Sequence, residues 1–172
     1  MASKLFVLPI FLLALAACSR TDEPKKDPAT TESAAPPTSP LVLAPKGIRF
    51  EHAPAGDDVN AIVKTARATA AANGRDLVVY VGATWCEPCQ RFHKAAEAGE
   101  LDEQFPNLTI LDFDADNDRE RLVTAGFESK FLPFFVVPDA NGRATDKRFE
   151  GSVKGDRAVS NIAPRLRMIL TK

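Results

Sequence analysis

Cysteine is scarce. The chain of 172 residues holds three, which excludes a small scaffold stapled by disulfides. Surplus charge is lacking as well: 22 Lys and Arg against 23 Asp and Glu leave a net charge of -1, so no basic field points to nucleic acid. Beyond the N-terminus no apolar run reaches about 18 residues, which excludes a channel or transporter built on membrane-spanning helices. No internal repeat is present. What remains is ordinary globular composition, 45% hydrophobic and 26% charged. The length suits one domain plus something extra at the N-terminus.

That extra reads as an address. Lys4 supplies the positive n-region, and Leu5 to Ala14 form a ten-residue apolar core interrupted by Pro9. Such a core is too short to span a bilayer as a helix and fits a signal peptide at 1–17. Leu15-Ala16-Ala17-Cys18 then resembles the lipobox of bacterial lipoproteins. That resemblance implies cleavage after Ala17 and lipidation of Cys18, whose several acyl chains anchor more firmly than one. A plain secretory signal with an incidental Cys18 is the alternative. Ser19, rather than Asp, leans towards the outer membrane.

Residues 18–45 follow as a Pro/Ser/Thr-rich tether that holds six of the thirteen prolines. It has almost no large apolar residue before Leu41, so it is expected to stay disordered. At roughly 30 Å root-mean-square, it would hold a folded domain clear of a membrane surface.

Residues 46–172 carry the globular pattern. Ile48 and Phe50 mark a short strand. Asp57 to Asn73 places Val59, Ile62, Val63, Ala66 and Ala70 on one helical face, with Gly74 as the stop. Leu77–Val81 and Leu108–Phe113 are apolar runs of the kind found in buried parallel strands. Helices are expected over Cys86–Ala98 and Asn117–Ala125. Leu132–Val137 and Thr145–Glu150 are strands around an Asn141-Gly142 turn. A last helix covers Asp156–Leu170, with Pro164 expected to kink it or end its first half. The order βαβαβαββα predicts an α/β fold with parallel strands and a closing antiparallel hairpin.

The chemistry concentrates at Trp85-Cys86-Glu87-Pro88-Cys89. Cys86 falls at a helix N-terminus, where free N–H groups and the dipole favour a thiolate. Cys89 lies one turn later on the same face, and Pro88 sits where a missing N–H costs little. A thiolate at Cys86 can attack a disulfide, and Cys89 can resolve the product. Two other uses of the pair compete. Zinc wants four ligands, and only His52 and His93 stand by as partners. A structural disulfide would close too small a loop to stabilise much.

These pieces together resemble the thioredoxin superfamily over residues 46–172: LVVYVGATWCEPC, LTILDFDAD, Leu132-Pro133-Phe134 and Phe149-Glu150-Gly151. The Glu87-Pro88 dipeptide is similar to that of membrane-tethered TlpA/ResA-like reductants. The resemblance implies a thioredoxin fold, a central mixed sheet with helices on both faces. It makes Cys86 the nucleophile and Cys89 the resolving cysteine. It also implies a cis-proline at Pro133, which with Leu132 faces the cysteines and pairs with substrate backbone. Trp85 is expected to flank the site. No cofactor is implied beyond the redox-active Cys86–Cys89 disulfide.

The sequence departs from the family in four places. Tyr80 stands six residues before Cys86, where thioredoxins carry a buried Asp, and Asp112 falls at the position of the partner Lys. Asp112 is therefore expected to serve as proton acceptor for Cys89, hydrogen-bonded by Tyr80. Lys94 replaces the helix-kinking proline, and Phe134 follows the cis-proline position, where it is expected to make the groove more apolar. Glu87 beside Cys86 is expected to disfavour the thiolate and to give a reducing couple. His93 reads as a packing or surface residue, and His52 as following the first strand.

The leading expectation is a lipid-anchored thiol–disulfide oxidoreductase facing the periplasm that reduces protein disulfides. In an oxidising compartment it needs a membrane electron donor. By resemblance its substrates are apocytochrome c thiols, copper-site cysteines or damaged envelope proteins. The alternatives are a disulfide oxidase or isomerase, and a non-catalytic metal- or copper-binding module.

Overall fold

The computed structural model describes residues 46–171. The stretches read above as a signal peptide (1–17), a lipidation site (Cys18) and a tether (18–45) lie outside the described residues. Five strands and four helices alternate: β1 (Gly47–His52), α1 (Val59–Ala72), β2 (Asp76–Gly82), α2 (Glu87–Glu97), β3 (Asn107–Asp114), α3 (Arg119–Thr124), β4 (Phe134–Pro138), β5 (Ala144–Glu150) and α4 (Ala158–Leu170). The order matches the expected βαβαβαββα.

The strands form one mixed sheet in the order β1-β3-β2-β4-β5. β1 and β2 run parallel to β3, β4 runs antiparallel to β2, and β5 closes a hairpin on β4. Every residue of β2 from Leu77 to Gly82 is buried, so both faces of the sheet are covered. α1 lies against β2, β3 and β4, while α2 packs on β1 and on α4, and α4 covers β4 and β5. This is the thioredoxin fold expected from the sequence.

Local chemistry explains the element ends. Asp58 caps α1, its carboxylate accepting the Ala61 N–H at 2.9 Å. Gly142 turns the β4–β5 hairpin at φ 80°, and a Cβ there would run into the Asn60 carbonyl of α1. β4 begins at Phe134 rather than Leu132, since Pro133 has no N–H to give to a ladder. α4 runs through Pro164 without a break. That proline is exposed, so its missing bond leaves only the solvent-side Ser160 carbonyl, while Ile162, Ala163, Leu166 and Ile169 anchor the other side.

One charged residue reads differently in space than in sequence. Arg75, just before β2, is only 5% exposed. Its guanidinium donates to the Gly47 carbonyl at 2.6 Å, the Leu108 carbonyl at 2.5 Å and Thr109 Oγ1 at 2.9 Å. It fastens the starts of β1 and β3 to β2.

Candidate active site at the start of the second helix

β2 ends at Gly82, and after three intervening residues Cys86 becomes the N-cap of α2, with Glu87 and Pro88 in its first turn. Cys86 and Cys89 are joined by a disulfide of 2.03 Å. Both are nearly sealed, at 4% and 2% exposure, yet they line different cavities.

Cys86 borders a cleft of about 450 Å³ together with Trp85, Glu87, Pro88, Phe131 and Leu132. Trp85 and Phe131 are 64% and 65% exposed, an unusual display for large aromatic rings. Each is held from below. Trp85 Nε1 donates to Asp116 Oδ2 at 2.8 Å, and the Phe131 backbone N–H donates to Glu150 Oε2 at 3.2 Å. The Leu132–Pro133 peptide bond is cis, and the Pro133 carbonyl accepts the Gly151 N–H at 2.8 Å. Pro133 itself is buried, and Leu132 presents the loop to the cleft. Phe134 does not enlarge the apolar groove as expected: its ring is 2% exposed in the core, and Phe131 supplies the apolar surface instead.

Glu87 is also not the bare charge the sequence suggested. Its carboxylate pairs with Arg91 one turn along and accepts the Gly155 N–H at 3.2 Å. The Arg91 hydrogen bond, foremost, holds this carboxyl below its ordinary pKa. Arg91 reaches on to Asp156 at 2.9 Å. The repulsion expected between Glu87 and a Cys86 thiolate is thus offset by a neighbouring cation. Replacing Arg91 with Gln would uncover the Glu87 charge. The expected result is a higher Cys86 thiol pKa, read from thiolate absorbance during titration of the reduced protein. An unchanged titration would show that Arg91 does not compensate Glu87.

Cys89 faces the other cavity, of about 380 Å³, lined also by His52, Tyr80, His93 and Asp112. Strand register assembles this group. His52 and Tyr80 are the cross-strand neighbours of Asp112 on its two sides, so the three side chains share one face. α2 lays His93 over them, its ring stacked on Phe50 at 4.1 Å and edge-on to Tyr80 at 5.2 Å. Two imidazoles converge on one carboxylate oxygen: Asp112 Oδ2 lies 3.5 Å from His52 Nδ1 and 3.9 Å from His93 Nε2. Burial pushes the Asp112 carboxyl up to about 6 and pushes His93 down. Tyr80 does not hydrogen-bond Asp112 as expected. Its hydroxyl has no partner among the described residues, and burial raises its pKa. The ring lies over Gly82, where a Cβ would strike it.

The sequence candidates therefore divide. Trp85, Cys86, Glu87, Pro88 and Leu132 border one cleft, and Cys89 and Asp112 the other. Sequence reasoning gave His52 and His93 no role at Asp112 and did not single out Phe131. A parity count along a β1 paired with β3 would have found His52; nothing local signals Phe131. Among the described residues no group of three His, Cys, Asp or Glu side chains is arranged to hold a metal ion.

The sheet order and the Cys-x-x-C pair opening α2 are those of a thioredoxin fold. Consistent with this, a family model described as thioredoxin-like matches residues 59–140, from the start of α1 to the β4–β5 turn. Among solved structures the chain is similar to a thioredoxin of Fasciola hepatica known from an X-ray structure. The two share 25% identity over 53% of this chain and 80% of that one, with a TM-score of 0.37. No curated protein matches.

Proposed function

We propose that the protein is a thiol–disulfide oxidoreductase of the bacterial envelope, of the TlpA/ResA-like kind, anchored through a lipidated Cys18 and reducing protein disulfides. The observation that carries the reading is the division of labour at the cysteines: Cys86 opens on a cleft with exposed aromatic walls, and Cys89 opens on a carboxyl that burial makes a weak acid.

In the reduced protein, the Cys86 thiolate at the N-terminus of α2 attacks a substrate disulfide bound in the cleft. One substrate thiolate leaves, and Cys86 is held in a mixed disulfide. Cys89 then gives its proton to the Asp112 carboxylate and attacks the Cys86 sulfur. The second substrate thiolate leaves and takes up a proton. Two electrons have passed from Cys86 and Cys89 to the substrate, and a membrane dithiol donor restores them. Trp85, Leu132 and the exposed Phe131 hold the substrate segment beside Cys86, where proximity and orientation favour the attack.

The test is the reduction potential of the Cys86–Cys89 couple in the full-length protein, equilibrated against graded thiol buffers. A value below about -220 mV supports a reductant fed by a donor. A value near about -120 mV makes the protein a disulfide donor instead. Absence of any two-electron couple, with metal bound at the cysteines, would replace the enzyme with a metal-binding module.

A further inference from the structure

The carboxylate that serves Cys89 does not stand alone. His52 closes β1 with its side chain 89% exposed, yet its Nδ1 lies 3.5 Å from the Oδ2 of Asp112, a residue only 15% exposed. Every other charged or titratable neighbour can be placed. On β3 Asp114, and at the N-cap of α3 Asp118, are like charges that favour the protonated acid. Asp118 is itself paired with Arg121 at 2.8 Å. On β2 Tyr80 is buried and keeps its proton. On α2 Cys89 is the proton donor. His93, whose charge Glu97 favours, is pushed down chiefly by burial beneath Phe50. Among the described residues, His52 is the neighbour that draws the Asp112 carboxyl down.

We propose that His52 is a positioning residue for the resolving step: its exposed imidazole, 3.5 Å from the Asp112 carboxyl, favours the ionised form that takes the Cys89 proton. The proposal rests on Asp112 being the base in the reaction above. The step is balanced. The Cys89 thiol gives its proton to Asp112, and the sulfur takes Cys86 from the mixed disulfide. The substrate thiolate departs with the electron pair, and the Asp112 proton passes to it or to water. The match of ranges makes the arrangement useful. Imidazoles change charge between about pH 5 and 8, and Asp112 titrates at about 6 within that interval. A positive charge on an imidazole 3.5 Å away favours the Asp112 carboxylate over the acid. Burial pushes His93 down, so it serves chiefly as the wall of the site.

The reduced full-length protein is mixed with an excess of an aromatic disulfide whose thiolate absorbs light. The concentration-independent second burst of thiolate reports Cys89 attacking Cys86, and it is followed from pH 4.5 to 8. His52 is exposed, so its variants leave the core intact. In His52→Gln the acid limb should move up by about half a pH unit, about threefold slower within the limb. In His52→Arg, which stays charged, the limb should move to or below the wild-type position. The gap between the two variants should shrink in about 1 M salt, because the pair faces solvent. A side chain that merely filled space would not send Gln and Arg in opposite directions. If both variants follow the wild-type limb while Asp112→Asn abolishes it, the His52 proposal fails and Asp112 remains the base. If Asp112→Asn keeps the wild-type limb, Asp112 is not the base and the proposal falls with it. If no second burst occurs, the redox reading itself fails.

Discussion

Cys86→Ser is expected to abolish reduction of a disulfide substrate, with a loss of about a thousandfold or more, because no other cysteine lines the cleft. Cys89→Ser should behave differently. The first attack survives, the second cannot occur, and a mixed disulfide between Cys86 and substrate accumulates. A non-reducing gel would show that adduct, and added dithiol would dissolve it. The assignment rests on position rather than exposure, since both cysteines are nearly sealed at 4% and 2%. Cys86 shares its cavity with Trp85 and Leu132, whereas Cys89 shares its own with Asp112 and His93. Trapping through Cys86→Ser in place of Cys89→Ser would reverse the roles and move the substrate site to the Asp112 side.

The second large effect is on stability. In the folded protein Asp112 keeps its proton up to about pH 6, whereas its ordinary pKa is 3.8. Between those values the folded state binds the extra proton, so stability falls as pH rises through the interval. The contribution is fully present below about pH 4 and lost above about pH 6; its size is roughly 2–3 kcal/mol. Asp112→Asn removes the cost of burying a charge. At pH 7 the variant should exceed wild type in denaturant unfolding, relative to their difference at pH 4, by that amount. Two other carboxylates contribute with the opposite sign. Glu87 and Asp139 are held below their ordinary pKa by hydrogen bonds from Arg91 and from the Arg143 backbone, respectively. The difference between the two proteins is therefore the quantity to read. A difference independent of pH would mean that Asp112 is ionised in the fold as it is in the unfolded chain. A variant gaining stability at neutral pH while losing the resolving step would show a carboxylate kept for chemistry at a cost to the fold.

Much of this was legible from the chain. Apolar runs at Leu77–Val81 and Leu108–Phe113 read as buried parallel strands, and the structure covers them. The Cys-x-x-C after the first of these runs placed the reactive pair at a helix start. Asp112 was legible because the resemblance sets it where the family carries a partner lysine, with Tyr80 in place of the buried acid. What was not legible depends on contacts that cross the sequence. His52 meets Asp112 only because β1 pairs with β3 in a particular register, and two adjacent strands in space are 60 residues apart in the chain. The Glu87 charge looked unbalanced because its partners, Arg91 and the Gly155 N–H, come from the next turn and from a loop after β5. Pro164 carries the sequence signature of a helix break, and tertiary packing of Leu166 and Ile169 overrode it.

Arg75 sits at the opposite end of the sheet from all this chemistry, and it governs alignment. A one-residue slip of a strand turns every side chain to the other face. The guanidinium grips the carbonyls of Gly47 and Leu108 and the hydroxyl of Thr109, and a slipped β1 or β3 would withdraw those acceptors and strand a buried cation. Five residues downstream of Gly47 and four downstream of Leu108, the same alignment sets His52 beside Asp112. The arginine thus works as a dowel at the foot of three strands, indexing a proton site at their far ends that it never touches.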